Sequence, residues 1–452
     1  MGERMTADRA PQKEEEAAAR ERARDEGGRR PRVAVINTHP IQHFAPLWAE
    51  IARRGEVSLK VLYCSDWGVK EYKDPGFDRT FRWDVDLLSG YDYEILPIAK
   101  RPAAMSFREV DNPEVGDALA RFQPDVLVLF GYTTLTNWRA LAWARRSTMA
   151  KGAKKTRVLV FSDSELKHAR PILSRAAKEI VVRAFFSQVD GALPIGNCNA
   201  EYYRRYGLPE DVLYPCPLPV DGKRFLAAAG DTAEARASVR RELRIPEGDF
   251  VFASVGKYIP RKRHADVAAA FLELPVDLRE KSRVLLIGDG PDRGSLAALA
   301  ARGDGRIGLT GFVNQSQMPG YFAACDALVV ASDHDPHPLV VTEGLFLGLP
   351  VIASDRIGCI GPDDTVRPGE NGIAYAAGNI KDLSRAMLEL LVNRAKYDRF
   401  KEQSRRIAAS QDTPVAAARF AEAALRSLKA EPATAGERAR RLLPLPRSPR
   451  RA

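Results

Sequence analysis

Short, almost unbroken apolar runs recur along this chain, and each is followed by a stretch with helical periodicity. That alternation constrains the fold more than any other feature. A strand that is apolar on both faces needs cover on both faces, and a parallel sheet flanked by helices supplies it. The first-half runs are 33–36, 59–63, 125–130, 158–161 and 191–194. Those of the second half are 250–255, 284–287, 307–309, 327–330, 350–353 and 372–374. Stretches 265–272, 295–302 and 383–391 carry apolar residues at i, i+3, i+4 spacing, which predicts amphipathic helices.

The alternation breaks once, between Cys216 and Asp249, where a Pro-rich turn (Pro215, Pro217, Pro219) precedes charged helical sequence and Pro246-Glu-Gly-Asp. The expected fold class is therefore α/β, with two Rossmann-like doubly wound domains facing across a cleft. The expected division is a domain at 31–218, a linker at 219–248 and a second domain at 249–412. A helix at 413–430 either caps the second domain or crosses back to the first. Residues 1–30 hold eight basic and eight acidic side chains and no large apolar residue, which predicts a disordered extension. The tail 431–452, rich in Arg, Pro and Ala, is expected to be disordered as well. Ligands of doubly wound sheets bind beyond the carboxyl ends of the strands, so the cleft is the expected site.

Several classes are set aside. The sequence has no run of 18 apolar residues, so an ordinary membrane-spanning helix is not expected. Its N-terminus lacks an apolar signal segment, so Sec export is not expected either, and the cytosolic side is the expected location. The five cysteines are scattered at spacings that suit neither a disulfide framework nor a zinc knuckle. The first strand leads into Val35-Ile-Asn-Thr-His-Pro with no Gly-rich turn, and in Gly288-Asp-Gly-Pro the third glycine arrives one position late, at Gly294. Both facts count against a nicotinamide oxidoreductase.

Three segments carry chemistry. In Gly256-Lys-Tyr-Ile-Pro-Arg-Lys262, a strand end and a helix start bracket two cations, a pattern that suits a diphosphate or, equally, a solvated basic loop. Gly288 and Gly290 follow a buried strand and allow close backbone approach. The most informative segment is Ser332-Asp-His-Asp-Pro-His-Pro-Leu-Val-Val-Thr-Glu343, a polar loop running into an apolar helix. An N-cap explains one Asp there. It does not explain Asp333, Asp335, two histidines and a carboxylate, Glu343, among Val340, Val341, Leu345 and Phe346. A carboxylate in such a setting needs a hydrogen-bonding partner, and ribose hydroxyls supply one.

On these residues the span from about Arg32 to Leu428 resembles a retaining GT-B glycosyltransferase of family GT4. The match rests on Pro338-Leu-Val-Val-Thr-Glu, on Gly-Leu-Pro-Val-Ile-Ala-Ser at 348–354, and on the Gly256 to Lys262 element. Gly288-Asp-Gly-Pro291 and Gly311-Phe-Val313 add to it. The family shows a Glu, seven intervening residues and then a second Glu; here the first of these positions is Asp335, one methylene shorter. The first half, with Asn37-Thr-His-Pro-Ile-Gln-His43, resembles a subset of the family more loosely.

The resemblance implies that Lys257 and Lys262 hold the donor diphosphate, that Glu343 binds ribose and that Asp335 binds the donor sugar. It implies that Gly256, Gly288, Gly290, His337 and Pro338 line the donor site, with backbone N–H groups of Leu339 and Val340 at the distal phosphate and Phe312 and Val313 beside the base. No metal and no cofactor is required, since fixed cations can offset charge on a departing diphosphate. His39 and His43, at the end of the first strand, and Asp163 and Glu165, after another, are the acceptor-side residues expected to position or deprotonate a hydroxyl.

The formal charge of +10 is concentrated. Residues 139–183 carry twelve basic side chains against three acidic ones. Trp138 and Trp143 beside that cluster suit contact of residues 138–157 with an anionic bilayer, although a solvated basic face with inward tryptophans would read the same way. No recognition motif for nucleic acid accompanies the charge. The expected function is transfer of a sugar from a nucleoside diphosphate donor to an unknown acceptor, a polysaccharide, glycolipid or small molecule, with retention of configuration. A GT-B nucleotide-sugar epimerase and a catalytically inactive nucleotide-binding or scaffold protein are the alternatives.

Overall fold

The structure, a computed structural model, describes residues 28–74, 76–98, 106–149, 155–167 and 172–443. Fourteen strands appear: β1 Arg32–Asn37, β2 Ser58–Tyr63, β3 Tyr72–Asp74, β4 Arg79–Phe81, β5 Tyr93–Ile95, β6 Val126–Leu129, β7 Arg157–Phe161, β8 Gly191–Leu193, β9 Phe250–Val255, β10 Ser282–Ile287, β11 Ile307–Leu309, β12 Ala327–Val330, β13 Val351–Ser354 and β14 Gly372–Tyr375.

Two six-stranded sheets run β5-β2-β1-β6-β7-β8 and β11-β10-β9-β12-β13-β14. Every pairing within them is parallel, as the apolar runs require: Val33 to Ile36 are buried, and so are Ala327 to Val330. Each sheet starts in its middle, builds outward one way, then returns to build the other way. The reversal falls between β1 and β6 in the first sheet and between β9 and β12 in the second. Loops leaving those strands splay apart and open a crevice in each domain.

The core sorts by layer. Leu47, Trp48 and Ile51 of the helix Phe44–Arg54 cover one face of the first sheet, together with Ala416, Phe420 and Ala424 of the helix Thr413–Lys429. That second helix follows the last strand of the second domain, so the chain crosses back. The crossing is pinned: Thr413 N donates to the Val220 carbonyl at 3.2 Å, and Val220 N donates to the Gln411 carbonyl at 3.4 Å.

Two expectations about the chain's organisation are corrected. Residues 219–248 are no bare linker. They form the helices Gly222–Ala229 and Thr232–Glu242, and Phe225 and Ile245 enter the second domain's core. Buried Arg240 bonds Asp326 at 2.8 Å and four carbonyls besides. The tail is ordered through residue 443. The helix Ala435–Leu442 opens with a capping box of Thr434 and Glu437, and Arg438 and Arg441 anchor it to Asp190 and the Val189 carbonyl at 2.8 and 2.7 Å. Residues 1–27 and 444–452 lie outside the described residues, while Arg29, at the edge of the expected extension, binds Asp125 at 2.9 Å.

The basic span follows the second of its two expected readings, a basic face with inward tryptophans. Trp138 and Trp143 pack against the first domain's core; Trp138 donates to the Tyr132 carbonyl at 3.0 Å and stacks edge-on to Phe185. Arg139 and Arg145 are spent on Asp111 and Asp190. The aromatic anchors expected at a bilayer therefore face inward. Lys151, Lys154 and Arg170 of that span lie outside the described residues. Among the described residues no helix is long and apolar enough to cross a membrane.

Candidate functional site

The two crevices face each other, and side chains bridge them. Lys262, in the turn after β9, reaches the loop after β12 and donates to Asp335 Oδ2 at 2.5 Å. Both side chains are largely buried, so this is a cation held in a low-dielectric setting beside the strand ends. Pro338 precedes the helix Leu339–Phe346 in extended conformation, and the first N–H groups of that helix lack a preceding turn to bond, which makes its start a natural anion site. Leu339 packs on the first domain's core cluster, so the helix start lies where the domains meet.

Glu343 sits one turn further on, 5% exposed, with Oε1 lacking any hydrogen-bond partner. Burial pushes its carboxyl up to about 7, against the opposing pull of Arg224 and a hydrogen bond from Gln315. His43 of the first domain approaches it, Nε2 to Oε1 at 3.8 Å, and is itself buried and held neutral, its pKa lowered to about 3 by burial and by Arg224. His337 is buried with both ring nitrogens unpartnered, and burial lowers its pKa to about 4. Asn37 Nδ2, at the end of β1, is a further buried polar atom without a partner. Buried polar atoms are almost always satisfied, so such a set at the end of β1 and in the loop and helix that follow β12 marks where a polar ligand belongs.

The glycines also serve the packing of the fold. Gly256, Gly288 and Gly290 all have positive φ, 143°, 151° and 152°. A Cβ on Gly288 would lie 1.9 Å from the Gly256 carbonyl oxygen, and one on Gly290 2.7 Å from that of Tyr258. They let the loops after β9 and β10 pack on each other, rather than only admitting a ligand. Val313 is buried in the second domain's core, whereas Phe312 is partly exposed and meets aromatic residues of the first domain.

Lys257 is not open to solvent on its own. Its Nζ donates to both oxygens of Asp74, at 2.9 Å each. On the first-domain side, His39 bonds Thr38 Oγ1 at 3.0 Å, stands edge-on to Trp67, and is lowered by burial to about 4. Asp163, after β7, keeps an exposed surface, yet the protein crowded around it desolvates its carboxyl and raises its pKa, and the carboxylates of Asp335 and Glu165 raise it further. Glu165 contacts His334 of the second domain at 3.2 Å, and Lys167 donates to the carbonyls of Asp355 and Ile357 at 3.0 and 2.6 Å. Glu165 thus spans the gap as an interdomain tie rather than lying free for an acceptor.

Asp74, Asn37, Arg224 and Gln315 escaped the sequence reading. Asn37 could have been found from its place at the central strand's end; the other three carry no such signal. Among the described residues no three His, Cys, Asp or Glu side chains stand close enough to share a metal ion.

This arrangement of paired sheets is the GT-B fold. The structure superposes on Anabaena Alr3699/HepE in complex with UDP with a TM-score of 0.65 at 16% identity, covering 87% of this chain and 98% of that one. It superposes on WaaG, a glycosyltransferase involved in lipopolysaccharide biosynthesis, with a TM-score of 0.59, also at 16% identity, covering 86% and 98%.

Sequence narrows the class further for the second domain. Residues 235–407 match the family model for glycosyl transferases group 1. The lipopolysaccharide core biosynthesis glycosyltransferase LpsE of Rhizobium meliloti is 28% identical over 182 residues, 40% of this chain and 51% of LpsE. The GDP-mannose-dependent alpha-mannosyltransferase of Mycobacterium tuberculosis is 28% identical over 282 residues, 62% of this chain and 68% of that protein. The chain thus spans about half the length of LpsE.

Proposed function

We propose that this chain is a retaining glycosyltransferase that moves a sugar from a nucleoside diphosphate donor to an acceptor held by the first domain. The observation that carries the reading is the buried constellation of Lys262, Asp335 and Glu343 around the start of the helix Leu339–Phe346, inside the segment that matches group 1 glycosyl transferases.

In this reading Lys262, Lys257 and the helix start receive the diphosphate, whose negative charge grows as the bond to the sugar breaks. Glu343 accepts hydrogen bonds from ribose hydroxyls, which supply the partner its buried oxygen lacks. Asp335 orients Lys262 and reaches the donor sugar. His337, neutral and unpartnered, offers a ring N–H to the same sugar. His39 and Asp163 flank the acceptor hydroxyl. His43 serves Glu343 instead, because it lies against that carboxylate. No metal ion is needed for these roles. UDP is the first nucleotide to try, since the similar HepE structure contains it.

The test is a panel of UDP-, GDP- and ADP-sugars, read first as a rise in melting temperature and then as nucleotide release with acceptor fractions present. Nuclear magnetic resonance of the product's anomeric proton reports retention or inversion. A protein whose melting temperature responds to no nucleotide or nucleotide sugar ends the proposal.

A further inference from the structure

The first domain reaches the donor side through the antiparallel pair β3–β4, and its contacts fall on the groups just assigned to the nucleotide. The Asp74 carboxylate holds the Lys257 ammonium through both oxygens. That carboxylate is itself fixed, accepting from the N–H groups of Gly76 and Phe77 at 2.8 and 3.1 Å. The Phe77 ring lies 5.0 Å from Lys257 Nζ and stands edge-on to Phe312 at 5.1 Å. Phe81 and the Arg79 guanidinium cover Phe312 as well, at 4.6 and 4.8 Å. Just beyond, Ser316 Oγ donates to Asp84 at 2.5 Å and Asn314 Nδ2 to the Arg82 carbonyl at 3.1 Å.

From these contacts we infer that the hairpin is a latch: Asp74 and Phe77 occupy the diphosphate and base sides of the donor site, and the donor enters by displacing them. The inference rests on Lys257 being a diphosphate ligand. A carboxylate and a diphosphate on one ammonium repel each other, so the two states exclude one another. The exchange is feasible because the Lys257 side chain keeps 36% of its surface in solvent, so an incoming oxyanion can reach the ammonium while Asp74, 13% exposed, still holds it. The aromatic contacts give the latch its place: Phe77 and Phe81 shield Phe312 until a base replaces them.

The experiment is calorimetric titration of the full chain with UDP, for wild type and Asp74→Asn. Opening the latch raises the binding-competent fraction, so Asp74→Asn should bind UDP about fivefold more tightly. An equal or weaker affinity overturns the latch and makes Asp74 a positioning residue for Lys257. A second arm needs no variant. Amide hydrogen exchange of residues 76–84 in the wild type should quicken when UDP is added, and slower or unchanged exchange overturns the inference. The Lys262→Ala variant separates the two ideas. If it loses UDP binding while Asp74→Asn gains nothing, the donor reading stands and the latch falls. If wild type binds no UDP, GDP or ADP, the donor reading fails and the latch with it.

Discussion

Glu343 concentrates the site's physics in one group. Burial raises its carboxyl to about 7, above the ordinary 4.5, so the folded protein binds this proton more tightly than the unfolded chain does. Its ionisation therefore costs stability as pH climbs from about 4.5 to 7, and the cost is complete above 7. Glu343→Gln should stabilise the ligand-free protein by about 1–3 kcal/mol at pH 8 and by little at pH 5, in thermal melts at both values. The same variant should weaken UDP binding, since ribose hydroxyls prefer a carboxylate. Binding near pH 6.5 should release protons in the wild type, seen as a buffer-dependent heat; uptake would contradict the assignment.

Lys262→Ala should cut turnover by about 100-fold or more, measured below its melting temperature. It will also lower that temperature, because Asp335 is left as a buried charge, at a cost of about 3–5 kcal/mol. Glu343 was legible in the sequence because a carboxylate inside an apolar helix stands out, whereas Lys262 and Asp335 were singled out by their places in the family's motifs. Gln315 and Asp74 were not. Their surroundings are polar, and only the meeting of distant segments gives them a role.

At the scale of elements, continuous apolar runs marked eleven of the twelve strands in the two six-stranded sheets to within a residue or two. The strands that escaped were β3, β4 and β5, each three residues long and exposed or polar along much of its length. Periodicity has nothing to act on there. The C-terminal helix escaped for the opposite reason. Its arginines read as solvated charge, yet Arg438 and Arg441 are consumed by Asp190 and the carbonyls closing the helix Ile172–Ser187. Buried Arg183 in turn donates to the Leu443 carbonyl. Removing residues 431–452 should therefore cost about 2 kcal/mol or more, read as a lower melting temperature by circular dichroism. An unchanged melt would mean that these contacts are satisfied equally well by water.

Across the whole molecule, two domains and a cleft were foreseeable from one break in the alternation, but the ownership of segments was not. The helix Thr413–Lys429 completes the first domain: Phe420 stands 5.6 Å from Trp48, and Ala416, Ala417, Ala423 and Ala424 are buried with it. A chain of residues 28–218 alone should thus bind a hydrophobic dye and aggregate, and fusion to residues 410–443 should abolish both. The passage between domains has a mechanical corollary. The outgoing and returning segments run side by side and are stitched together at Val220, Gln411 and Thr413, with Gly222 N bonded to Asp412 as well. Two adjoining tethers act as a pivot line rather than a ball joint. Such a line favours a door-like swing of the halves over a swivel, so that the same parts would meet each time the door shut.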